Sequence, residues 1–216
     1  MTPSRRRALV ALTAAIGMPA ALRLALAQTS EKQGIRAAKG DVSVNGRPAA
    51  ADTVVRAGDT IVLGKGALAS FVVGQDAFLM RSDSRAELIG SGVLVSAVRL
   101  ITGGLLSVFG DGEHRLATST ATIGVRGTGA YMESEPQRTY FCLCYGTAEV
   151  TATMGGAKES YSTQHHESPR YIYGDGRKRA IVPASVSNHS DAELILLESL
   201  VGRTPPQTFM DSPFKY

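Results

Sequence analysis

The residue types that could do chemistry are few and close together. The chain has two cysteines and four histidines, and both cysteines fall in Tyr140-Phe141-Cys142-Leu143-Cys144-Tyr145. In a strand, residues two apart share a face, so Cys142 and Cys144 point together and Phe141, Leu143 and Tyr145 point the other way. Their α-carbons then stand roughly 6.5–7 Å apart, near the limit for a disulfide, so an intrastrand bond requires a backbone bulge. Some twenty residues on, His165-His166 sit in a polar run, Ser162 to Pro169. Neighbouring histidines on an irregular segment can both turn inward. Cys142, Cys144, His165 and His166 would complete a tetrahedral site for Zn²⁺ or Cu⁺. Two other readings stand beside this one: small buried core thiols, or a strained disulfide. A thiol redox catalyst has two residues between its cysteines at a helix start, unlike this pair. His114 and His189 have no neighbours that support a ligand role.

A second stretch, Thr120 to Tyr131, is what the β-rich run leads into. Ile123 and Val125 share a face if the strand continues through Gly124. Gly127 and Gly129 bracket Thr128, which allows a tight turn or close approach of another strand. Arg126 carries the only charge there. It reads as a corner residue bonding loop carbonyls, or as the cation of an anion site. The glycines form neither a phosphate loop, since no Gly-Lys-Ser/Thr follows, nor a dinucleotide fingerprint. Asp59, Asp76, Asp83 and Asp111 fit no calcium loop and suit turns.

The elements that must position these residues are short strands. Val42 and Val44 alternate with Asp41 and Ser43, and Asn45-Gly46 signals a tight turn. Further strands are expected at 60–63, 67–73, 77–80, 85–89, 93–101, 105–109 and 114–118. Turns every eight to twelve residues favour an all-β architecture of sandwich, barrel or solenoid type. Residues 149–153 and 158–163 suit a hairpin around Gly155-Gly156. Ser190 to Val201 is the one good helix. Ser190 and Glu193 form a capping box, Leu194, Leu197 and Val201 line one side, and Gly202 ends it. The sequence divides into a segment 1–27, a β domain 34–153, a β/loop extension 154–186, and a helix and tail 187–216.

Residues 1–27 read as a cleavable export signal. Arg5, Arg6 and Arg7 precede an apolar run, and Ala25-Leu26-Ala27 offers small residues for cleavage. The run is short for a membrane span, and no second long apolar run follows. The whole chain carries 23 basic against 19 acidic residues, net +4. Four of the basic residues and no acid lie in the signal, so the remainder is formally neutral. Its charge therefore gives no support for a nucleic-acid partner.

Several segments together resemble the FecR-domain family. The stretch Thr120 to Tyr131 resembles its signature strand, of the form Thr-x-Ala-x-Ile-x-Val-Arg-Gly-Thr, with Ile123, Val125, Arg126, Gly127, Thr128 and Gly129 as the signature positions. Residues 40–47, 55–61, 105–109 and 149–151 are similar to its other segments, and the resemblance spans roughly residues 35–153. It implies an all-β, short-stranded solenoid-like or sandwich-like domain, here with a C-terminal helix, in a bacterial periplasm. The cytoplasmic anti-sigma segment and membrane helix of signalling members have no counterpart here. The expected function is a non-catalytic interaction or signalling module that contacts an envelope protein or glycan. The alternative is a Cys/His metal-binding or thiol redox protein.

Overall fold

A computed structural model describes residues 33–212. The expected export signal, 1–27, and the end of the tail, 213–216, lie outside the described residues. Fourteen strands carry the fold: β1 (Gly34–Lys39), β2 (Val42–Val44), β3 (Arg47–Pro48), β4 (Thr60–Leu63), β5 (Leu68–Val73), β6 (Asp76–Met80), β7 (Arg85–Ser91), β8 (Leu94–Val108), β9 (Glu113–Ala117), β10 (Ala121–Glu135), β11 (Arg138–Ala152), β12 (Lys158–Thr163), β13 (Arg170–Tyr173) and β14 (Ile181–Pro183). Helices α1 (Asp191–Leu200) and α2 (Gln207–Met210) follow. The strands form one sheet, not closed into a barrel, in the order β14-β13-β11-β10-β9-β8-β7-β4-β2-β3, with β1, β5, β6 and β12 attached at its sides. The all-β expectation with a C-terminal helix is met. Among the described residues, no helix is long and apolar enough to cross a membrane.

Strand length differs from the sequence expectation at three places. β8, β10 and β11 each run for 15 residues, through Gly103-Gly104 in β8, Gly127 and Gly129 in β10, and Gly146 in β11, where shorter strands are expected from the sequence. The glycines bend these strands without ending them. β8 pairs with β7 along its first part, with β10 from Gly103 and with β6 from Leu105. β10 pairs with β9 up to Arg126 and with β8 from Gly129. Each handover contains a glycine in the left-handed region, Gly103 at φ +80° and Gly127 at φ +57°, which other residues adopt only under strain. A long strand can thus change partners and carry its two halves into different parts of the sheet.

Two apolar clusters result. The larger gathers inward residues from many strands, among them Ile35, Phe71, Phe78, Leu100, Leu105, Leu116, Ile123, Val125, Phe141, Leu143 and Val150. The smaller lies beneath α1 and joins Val72, Leu79, Leu106, Val108, Tyr131, Tyr140, Cys142, Cys144 and Tyr145 to Leu194, Leu197 and Phe209. Gly129 belongs to this second contact. A β-carbon there would lie 2.6 Å from the Tyr145 ring and 3.0 Å from Leu194, so glycine lets the helix approach the sheet.

The helix is fixed at both ends. Ser190 Oγ accepts from the Glu193 amide, and the Glu193 carboxylate accepts from the Ser190 amide, as the capping-box spacing predicts. Arg81, just after β6, donates twice to the same Glu193 carboxylate, both at 2.9 Å. At the other end, buried Glu198 accepts from the Tyr145 hydroxyl and from Arg203 Nε. Burial and the adjacent Glu198 charge push the Tyr145 hydroxyl far above its ordinary pKa, which keeps it a donor. Ser190→Ala removes the cap. We expect it to cost about 1 kcal/mol, measured as a lower midpoint in urea unfolding with an unchanged denaturant slope.

Candidate metal centre

The site is built from three segments that meet under α1. The first is β11. Its register against β10 steps from Tyr145 opposite Gly129 to Leu143 opposite Ala130, so Cys144 is the extra residue of a β-bulge. Cys142 and Cys144 face the helix side, as strand alternation requires. Beyond the bulge the alternation shifts, and Tyr145 joins them there instead of following Phe141 and Leu143. Simple alternation placed Tyr145 on the opposite face, and the inserted residue reverses it. Both cysteines are fully buried and free.

The second segment is the loop after β12. Thr163 Oγ1 donates to the Leu143 carbonyl at 2.9 Å, and the His166 amide donates to the Cys144 carbonyl at 3.0 Å. These bonds dock the loop on β11. His166 has φ +56°, a left-handed backbone that lets both ring side chains turn inward. His165 and His166 are buried, and Phe209 packs against both rings. The third segment leads into α1. The Tyr140 hydroxyl accepts from the Ser187 amide and donates to the Ser185 carbonyl, both at 3.1 Å. His189 then stacks on Tyr131, with ring centres 4.7 Å apart.

Cys142, Cys144, His166 and His189 each offer a ligand atom, and the four atoms lie within 4.8 Å of one another. This corrects the expected set of Cys142, Cys144, His165 and His166. Three of those residues converge, but His165 turns to Asp191, with its Nε2–H donating to both carboxylate oxygens at 3.2 and 3.1 Å. His189 takes the fourth corner. Both neighbouring rings turn an Nε2 to Asp191, and His166 presents its Nδ1 to Cys142, so the second imidazole comes from the helix approach. The clue in the sequence was the capping box. His189 immediately precedes it, and a helix of this length must dock at its start.

Outer partners set the ring tautomers. His189 Nδ1–H donates to the Ser187 carbonyl at 2.7 Å, leaving its Nε2 as an electron-pair donor. His166 Nε2–H donates to Asp191 Oδ1 at 3.2 Å, leaving its Nδ1 in the same state. These two nitrogens face each other at 3.0 Å, and His166 Nδ1 is 3.4 Å from Cys142 Sγ. A tetrahedral zinc with ordinary bond lengths has N···N and N···S edges of about 3.3 and 3.6 Å. The observed spacings fall a few tenths of an ångström inside these. Burial pushes the Cys142 thiol up, but contacts with Cys144, His166 and His189 outweigh it and hold the thiol well below its usual range. Burial, together with the neighbouring Cys142, holds Cys144 well above it. The arrangement thus favours one thiolate in the pair.

The other motif residues lie elsewhere. Ile123 and Val125 are core, and Thr128 is buried, with its carbonyl accepting from the Phe109 amide at 3.0 Å. Gly127 and Gly129 serve the bend and the helix contact described above. Arg126 does not bond loop carbonyls. It is exposed, 3.9 Å from Glu113, and lines a groove of about 1000 Å³ that also contains Glu113 and Glu149. His114 is separate from the cysteine cluster, stacked on Phe109 and 3.5 Å from Asp76.

No family model and no curated protein matches the chain. Two crystal structures of a "putative anti-sigma factor" from Parabacteroides distasonis, at 1.65 and 2.50 Å, are similar to it in part, with 10% identity and TM-scores of 0.47 and 0.48. Each match covers 58% of this chain and 59% of that one, so this chain spans well under two thirds of their length.

Proposed function

We propose that the protein is a non-catalytic, exported β module whose Cys142–Cys144–His166–His189 centre holds one Zn²⁺ ion. The observation that carries this is the facing pair of imidazole nitrogens, His166 Nδ1 and His189 Nε2, at 3.0 Å beside Cys142 Sγ. Together with the two sulfurs they gather four soft donor atoms within 4.8 Å of one another in a buried site. Charge selects the ion. Zn²⁺ with two thiolates and two neutral imidazoles is neutral overall, whereas Cu⁺ leaves a net negative charge in a buried site beside Asp191. Burying such a charge is costly. Four protein ligands leave no open coordination position, which suits a structural ion rather than a hydrolytic one. The basic and apolar segment at 1–27 supports export to the periplasm. There the module acts by contact with another envelope component, protein or glycan.

The test is anaerobic purification followed by elemental analysis and Co²⁺ substitution. One equivalent of zinc is expected, replaceable by Co²⁺ with the intense thiolate-to-cobalt charge-transfer band of a two-sulfur tetrahedral site. Cys142→Ser should lose most of that band, and His165→Ala should keep it. Less than about a tenth of an equivalent of bound metal before and after loading, judged against the one ion of a closed four-ligand site, overturns the proposal. A mass two units low with both cysteines linked would assign the pair to a disulfide instead.

A further inference from the structure

The geometry points to Asp191 as the residue that couples ion binding to docking of α1, a role that rests on the metal reading above and adds its regulation. Asp191 is the first residue of α1, directly after the Ser190 cap, and is buried although ionisable. Its carboxylate accepts from His166 Nε2–H at 3.2 Å and from His165 Nε2–H at 3.1 Å. A carboxylate on the far nitrogen of a ligating imidazole fixes ring orientation and tautomer and raises ligand basicity. Here that carboxylate belongs to the helix, whereas His166 belongs to a loop tied to β11. His165 shares the carboxylate and braces Asp191.

The consequence is reciprocal. With α1 docked, Asp191 prepares His166 for the ion. With the ion bound, His166 is fixed where Asp191 must meet it. Whatever factor docking adds to ion affinity, the ion adds to docking. His189, two residues before Asp191, places a second ligand on the same entry segment. Ion occupancy therefore controls how firmly the helix covers Leu79, Leu106 and Val108 of the sheet.

The experiment uses the full chain, stripped and reloaded with Zn²⁺, and compares wild type with Asp191→Asn, Asp191→Glu and His165→Ala. Asp191→Asn should still bind one ion, but about 10–100-fold more weakly in competition with a chelator. Asp191→Glu, which retains a carboxylate, should recover part of that loss. In wild type, zinc should slow amide exchange in the first turn of α1 by at least about tenfold, and Asp191→Asn should reduce that protection. If Asp191→Asn does not fold, the exchange comparison in wild type decides. Protection there spreading no further than the cysteine strand overturns the coupling. So does an Asp191→Asn affinity within about twofold of wild type, well short of an outer-shell loss. Two zinc ions per chain, the second lost in His165→Ala, would also overturn it, by making His165, His166 and Asp191 ligands of their own ion. Absence of cysteine-dependent zinc binding in every variant would instead refute the metal reading itself.

Discussion

Stripping the metal should lower the melting temperature by about 8–16 °C relative to protein held with free Zn²⁺ at a thousandfold excess over its dissociation constant. An ion that binds only the folded state at that excess contributes about 4 kcal/mol, and a chain of this size shifts by about 2–4 °C per kcal/mol. The proposed ligands come from β11, from the loop after β12, and from the approach to α1, so the unfolded chain cannot assemble them without closing long loops. Scanning calorimetry at fixed protein and buffered zinc concentrations reads the shift directly. Cys142→Ser combined with Cys144→Ser should abolish it, since neither hydroxyl replaces a thiolate. A shift below about 2 °C in wild type at that free-zinc excess, or one that persists in the double variant, would show that zinc does not act through this centre.

Phe209→Ala should destabilise the protein by about 3–5 kcal/mol, with or without metal. Phe209 is 1% exposed. Its ring meets Tyr145 edge-on at 5.4 Å and lies 4.5 Å from His165 and 5.7 Å from His166. Removing it opens a cavity between the end of the chain and the sheet. The two histidines beside it stay hydrogen-bonded to Asp191, so zinc stoichiometry should remain one. Urea unfolding measures the loss. A cost below about 1 kcal/mol, far short of a buried phenylalanine's usual worth, would mean the α2 segment is not docked as described. Leu197→Ala, within α1, provides the comparison, with an expected cost of about 2–5 kcal/mol.

The sequence by itself determined the features that depend on local periodicity and local bonding. The all-β class followed from alternation and turn spacing, and 60–63 and 68–73 appear as strands close to where alternation placed them. The hairpin joining β11 to β12 and the capping box of α1 were legible for the same reason, because their partners are a few residues apart. The shared face of Cys142 and Cys144 was also set by strand period. Tertiary structure decided what depends on distant segments. Glycine alone marks permission to bend, so only the pairing partners show that Gly103 and Gly127 bend continuous strands. The extra residue at Cys144 depends on the register against β10, and it alone turned Tyr145 toward the helix. The choice of His189 over His165 required the loop after β12 and the approach to α1 to meet over one strand. Neighbours in sequence share Asp191 there, while residues more than twenty apart converge beside the cysteines, and no local pattern encodes that arrangement.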